Sequence, residues 1–264
     1  MTEHVTSADG TAIAFDRWGA GPPVVLLGGI LQDRGTMAPL ARALAGRLTV
    51  IHPDRRGRGE SGDSWPVTTQ REVEDVAALV EAAGGRTGVY GHSSGAALAL
   101  RAAAAGVPLT SLVLHEPPYA DDPESVAAAR TRAAAMLEAL DAGHPGDALR
   151  LFLADAGLPP DAVEAAATDP TMLARAASMA YDIAAMGETE TGGAVPVALV
   201  GAVRVPTLVI AGGASPEFFR LTAERLVGLL PDAEALVLDG QDHGAPPDVV
   251  APAVADFVAA HIGA

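Results

Sequence analysis

Six short apolar runs, each closed by Gly, Pro, Asp or His, alternate with Ala- and Leu-rich stretches along most of this chain, and that rhythm leaves few folds open. The runs are PPVVLLGG (22–29), LTVIHPD (48–54), TGVYGH (87–92), SLVLHEPP (111–118), PTLVIAGG (206–213) and EALVLDG (234–240). Runs so short and so uniformly apolar suit strands buried on both faces, joined by helices into a mainly parallel sheet. Helices are predicted at Ala38–Gly46, Gln70–Ala83, Ser94–Ala105, Pro216–Leu230 and Pro247–His261. Ahead of them, HVTSADGTAIAFDRWG carries two extended runs around Asp9-Gly10, a turn dipeptide, so an antiparallel hairpin leads the sheet and brings it to about eight strands. A chain of 264 residues can bury one core of this kind.

The alternation breaks once. From Tyr119 to about Val203 there are only Ala-rich segments punctuated by GHPGD, GLPPD and TDP, which predicts a helical insertion lying as a cap over the strand ends. Residues 1–118 and 204–264 then form the core and 119–203 the cap. Charge narrows the partners: Lys+Arg 17 against Asp+Glu 33 leaves −16, which opposes nucleic acid and anionic membrane. With no cysteine, thiolate nucleophiles, thiolate metal sites and disulfides are excluded. The opening MTEHVTSADG lacks a basic stretch followed by an apolar one, and no run reaches the roughly 20 apolar residues of a membrane span, so a cytoplasmic protein is expected.

Gly91-His92-Ser93-Ser94-Gly95 fits G-x-S-x-G and stands between an apolar run and a helix-forming one, the context that the motif requires. A sharp strand-to-helix turn holds the central serine in a strained conformation, and small flanking residues let neighbouring backbone pass. Ser93 is therefore the candidate nucleophile. Ser94 opens the helix, where its unpaired N–H can point at a developing oxyanion.

Together with DRRGRGES (54–61) after the second core run and a histidine near the end of the chain, this elbow closely resembles the α/β-hydrolase family, over nearly the whole chain. The resemblance implies an α/β-hydrolase fold and no metal or organic cofactor. It makes the DRRGRGES segment structural, so its arginines receive no catalytic role. It puts a second oxyanion donor at the backbone N–H of Ile30 in LLGGILQDR, where Gly28 replaces the His of many relatives and leaves the support of the loop open. Gln32 and Asp33 either face the pocket or belong to a solvated loop. The base is His243 in LDGQDHGAPP, after the last strand and before the final helix; imidazole titrates near neutrality and can take the serine proton. Of seven histidines, His243 alone occupies the family's site.

The acid departs from the family pattern, because Ser215 stands where most members carry Asp. Glu116, closing SLVLHEPP beside the strand of Ser93, is the first candidate, with Glu217, Asp239 and Asp242 as alternatives. Gly-x-Ser-Ser-Gly-Ala with His-Glu-x-Pro also resembles the zearalenone lactonase subgroup, whose Ser-Glu-His order would be Ser93, Glu116 and His243 here. Those lactonases set a cap tryptophan against substrate, whereas Trp18 and Trp65 lie outside this cap. Tyr119, Phe152, Tyr181 and Met186 are the candidate pocket residues, each also suited to helix packing. The expected activity is hydrolysis of an apolar small-molecule ester or lactone, with a homodimer permitted. Two alternatives share the scaffold: a secondary-metabolism catalyst that cleaves a C–C bond or releases or cyclises a polyketide, and a noncatalytic receptor. The receptor gains ground if Glu116 points away from His243.

Overall fold

The computed structural model describes residues 1–262. Asp9 Oδ1 accepts the Thr11 N–H at 3.0 Å and Gly10 takes φ 88°, which folds β1 (Glu3–Thr6) back on β2 (Ala12–Trp18). There follow β3 (Pro23–Leu27), β4 (Thr49–Pro53), β5 (Thr87–His92), β6 (Leu109–His115), β7 (Thr207–Gly212) and β8 (Ala233–Leu238). They form one eight-stranded sheet in the order β1-β2-β4-β3-β5-β6-β7-β8. β2 runs antiparallel to β1 and to β4, and every other pairing is parallel.

Side chains alternate across the sheet and so divide the core in two. Val24, Leu26, Val113, Leu208 and Ile210 face α1 (Arg34–Leu44) and α12 (Pro247–Ala260). Val25, Leu27, Leu112, Leu114 and Val209 face α2 (Thr69–Ala82), α3 (Ser94–Ala104) and α11 (Glu217–Leu229). Fully burying a side chain of this size contributes about 1.5–3 kcal/mol, so both faces favour the register observed. From β3 the chain steps outward to β4 and returns to β5 on the other side of β3. The strand order reverses between β3 and β5, and a crevice opens beyond the carboxyl ends of strands at such a point.

Two boundaries differ from the sequence-based expectation by three residues or more. α1 starts at Arg34 rather than Ala38, because Asp33 accepts the Thr36 N–H at 2.8 Å while the Thr36 hydroxyl takes the Asp33 N–H at 2.9 Å. Gly35 and Pro39, poor helix formers, conceal that start. β6 stops at His115, short of the predicted Pro118, because Glu116 turns to φ 49°.

Between β6 and β7 the described residues hold helices and no strand: α4 (Pro123–Asp141), α5 (Pro145–Asp155), α6 (Pro160–Thr168), α7 (Pro170–Ala176), α8 (Met179–Met186), α9 (Glu188–Thr191) and α10 (Val197–Val200). The prolines that punctuate this stretch open α4 to α7, where a missing N–H costs nothing. Met136, Leu149, Met179 and Ile183 pack around Leu31, with Ile30 at the margin, so this layer sits on the loop after β3. Among the described residues no helix is long and apolar enough to cross a membrane.

Candidate active site

Ser93 leaves β5 at φ 56°, ψ −125°, a conformation that costs of order 1–3 kcal/mol and must be held by its surroundings. Its N–H donates to the His115 carbonyl at 2.9 Å, and its own carbonyl accepts the Ala96 N–H at 2.9 Å. The glycines of the motif are there for space: a Cβ on Gly95 would stand 2.2 Å from the Leu27 oxygen, and one on Gly91 2.3 Å from the Gly95 oxygen. Backbone cannot yield as a side chain does. Gly95→Ala is therefore expected to destabilise the protein by about 3 kcal/mol or more, read from urea unfolding midpoints, and an unchanged midpoint would refute this account of the turn.

The neighbouring serine is engaged elsewhere. Ser94 is fully buried as the first residue of α3, and its hydroxyl donates to Asp182 Oδ1 at 2.7 Å. Its N–H and that of Ile30 have no acceptor within the chain among the described residues. Both are donors available to a ligand, and the positive end of the α3 dipole reinforces the first.

His243 lies in the loop after β8 with its side chain 39% exposed. Its ring stacks on Phe219 (centroids 4.9 Å apart, planes at 18°) and packs against His92 (4.5 Å, 34°). His92 Nε2–H donates to the His243 carbonyl at 3.0 Å. Burial holds the His92 imidazole well below its ordinary pKa, so it is neutral at pH 7. His92, next to Ser93 in the chain, thus seats the loop that carries the His243 imidazole.

Glu116 Oε2 meets His243 Nδ1 at 2.5 Å, and Oε1 accepts the Gly212 N–H at 2.7 Å. The carboxylate is fully buried. Burial pushes its pKa up, but the His243 bond, the adjacent Ser215 hydroxyl and the Gly212 amide outweigh that and hold it below the usual value. A carboxylate facing Nδ1 favours the tautomer with the proton on Nδ1. Ser215, where the family resemblance leads one to expect an acid, has its hydroxyl buried near Glu116. The alternative acids are occupied or exposed: Glu217 pairs with Arg220 at 2.9 Å, Asp242 accepts the Gly244 N–H at 2.9 Å, and Asp239 faces solvent.

The support of the loop after β3, left open by Gly28, comes from the DRRGRGES arginines. Arg55 donates to the Gly28 carbonyl at 3.0 Å, and Arg58 to those of Gly29 (2.7 Å) and Gln32 (2.8 Å). Gln32 Oε1 closes the turn by accepting the Gly29 N–H at 2.6 Å, while Asp33 caps α1 and pairs with Arg175 at 2.5 Å.

The four predicted pocket residues have these neighbours in the fold. Tyr119 and Met186 pack in the cluster around α3, Phe152 packs among α4 to α8, and the Tyr181 hydroxyl donates to Asp63 and to the Ser64 carbonyl (3.2 Å). Sequence reasoning missed Asp182, whose one signal was a lone acid in the apolar stretch MAYDIAAM.

The sequence profile of the Alpha/beta hydrolase family matches residues 24–257. An alpha/beta hydrolase from Sphaerobacter thermophilus is 44% identical, with 97% of this chain and 99% of that one covered and a TM-score of 0.84. A thermophilic esterase from Thermogutta terrifontis is 24% identical over 97% of each chain, with a TM-score of 0.71. An esterase from Rhodococcus sp. ECU1013 is 21% identical over 100% of this chain and 98% of that one, with a TM-score of 0.69. The last two bear on the fold alone. No curated protein matches the sequence.

Proposed function

Because the chain belongs to the alpha/beta hydrolase family, we propose that it is a serine hydrolase cleaving a carboxylic ester or lactone through an acyl-enzyme. The observation that carries this reading is the 2.5 Å contact between His243 Nδ1 and the buried Glu116 carboxylate, with the His243 ring packed on His92, the residue before the strained turn at Ser93. Ser93 Oγ attacks the carbonyl carbon and its proton passes to His243 Nε2, while Nδ1–H stays on Glu116. The carbonyl electrons move onto oxygen, which the N–H groups of Ile30 and Ser94 receive; one such donor typically changes turnover by about 10²–10³. Collapse of the intermediate breaks the C–O bond, and Nε2–H protonates the leaving alkoxide. Water then enters by the same route and releases the acid. In a lactone the hydroxyl stays tethered to the acyl group.

The helices from α4 to α10 act as a cap in this scheme, and the apolar cluster around Leu31 favours an apolar acyl or alcohol group. The receptor reading would gain ground with Glu116 turned away from His243, and the contact above is the opposite arrangement. Intact mass after exposure to a small fluorophosphonate tests the proposal: one phosphonyl adduct is expected, followed by turnover in an ester and lactone panel. Folded protein that gains no adduct would reject it.

A further inference from the structure

We propose that Asp182 is a positioning residue for the oxyanion hole, a single buried carboxylate on α8 that sets both donor segments at once. The inference rests on the serine-hydrolase reading. Asp182 is fully buried, and three partners share its two oxygens. Oδ1 accepts the Ser94 hydroxyl and Arg55, each at 2.7 Å, and Oδ2 accepts Arg58 at 2.6 Å. Ser94 is thus anchored directly at the first turn of α3, which bears one of the donor amides.

The other donor is set through Arg58. The Gly29 carbonyl and the Ile30 N–H belong to one planar, trans peptide unit, so they point in opposite directions. By holding the Gly29 oxygen at 2.7 Å, Arg58 aims the Ile30 N–H the other way. The cationic partner also polarises the amide and strengthens it as a donor. Arg58 grips the Gln32 carbonyl as well, and Arg55 the Gly28 carbonyl, so three carbonyls of the loop are held by two guanidinium groups that share Asp182. Glu72 takes the rest of Arg55 at 2.8 and 2.9 Å, giving two cations and two carboxylates in one buried group. Among the described residues Asp182 is the member contributed by the helical layer between β6 and β7. Seating that layer and completing the oxyanion hole are one event.

Two variants test this. Ser94→Ala keeps the ionic group and the Ser94 amide and removes only the direct anchor; Asp182→Asn keeps the shape and removes the charge. Fluorophosphonate labelling followed by intact mass counts competent sites, and kcat, KM and the inhibition constant of a small alkyl boronic acid are then measured per competent site. For each variant kcat is expected to fall about 10–100-fold, KM to stay within about 2-fold, and the boronate constant to rise in parallel with the loss in kcat, because its tetrahedral adduct needs the same donors. A role confined to stability would lower the thermal midpoint or the labelled fraction while leaving kcat and boronate affinity per site unchanged, and that result overturns the inference alone. Should Asp182→Asn fail to fold, Ser94→Ala decides by the same criteria. Absence of labelling in the wild type would instead overturn the serine-hydrolase reading, and this inference with it.

Discussion

Ser93→Ala is expected to lower ester turnover about 10⁴–10⁶-fold while leaving the fold intact. The magnitude follows from the chemistry: without Oγ no acyl-enzyme forms, and His243 has no proton to accept. The two amide donors and the binding surface survive, so a residue of catalysis over water remains. The fold survives because the strained turn is held by the backbone of Ser93, through the bonds to His115 and Ala96, and alanine keeps the same backbone and Cβ. Fluorophosphonate adduct formation should vanish with the activity, and circular dichroism melting should show a midpoint close to wild type. Turnover retained at the wild-type level would place the nucleophile elsewhere. Ser94→Ala is the informative companion, since that variant keeps the nucleophile and its adduct.

Glu116→Gln is expected to cost about 10³–10⁴-fold in kcat, against less than about 2-fold for Glu217→Gln. The change is nearly isosteric, so its effect is one of proton placement. Glu116 accepts the Nδ1 proton of His243 at 2.5 Å and thereby leaves Nε2 bare. A glutamine that turns its amide NH₂ toward Nδ1 selects the opposite tautomer, with the proton on Nε2, where the base should be. The carboxylate also offsets the imidazolium that forms during attack, from a site with no solvent exposure to screen it. Glu217 is 75% exposed and paired with Arg220 in the first turn of α11, so its charge is screened and makes no contact with the imidazole. Rates compared at matched stability decide the matter, and a normal rate for Glu116→Gln would remove that residue from the mechanism.

Much of this was legible in one dimension because the signals are local. Apolar runs of five or six residues ended by turn formers specify strands, and Asp9-Gly10 specifies the hairpin. The elbow is equally local: the spacing of Gly91, Ser93 and Gly95 reflects collisions among residues a few positions apart and with the adjacent strand. His243 could be nominated from its place after the last strand, and Glu116 because its run pairs with that of Ser93. The start of α1 was missed for a local reason too, since the capping box at Asp33 and Thr36 is followed by residues that disfavour helix.

Which carboxylate meets His243 belonged to the tertiary structure. Glu116 and His243 are 127 residues apart, and nothing along the chain distinguishes their contact from one with the nearer Asp242. The role of the paired arginines was hidden for the same reason: Asp182 lies 127 residues from Arg55 and 124 from Arg58, and only packing of α8 against the core brings a lone acid to two buried cations. The Tyr181 hydroxyl depends on distant partners in the same way, since it meets Asp63 and the Ser64 carbonyl. Residue types and spacing along the chain specify strands, turns and the sharp strand-to-helix turn at Ser93, because steric and hydrogen-bonding rules act between neighbours. Which charges meet is settled by burial, where an ion left without a partner costs several kcal/mol and the assembled core therefore selects the pairing.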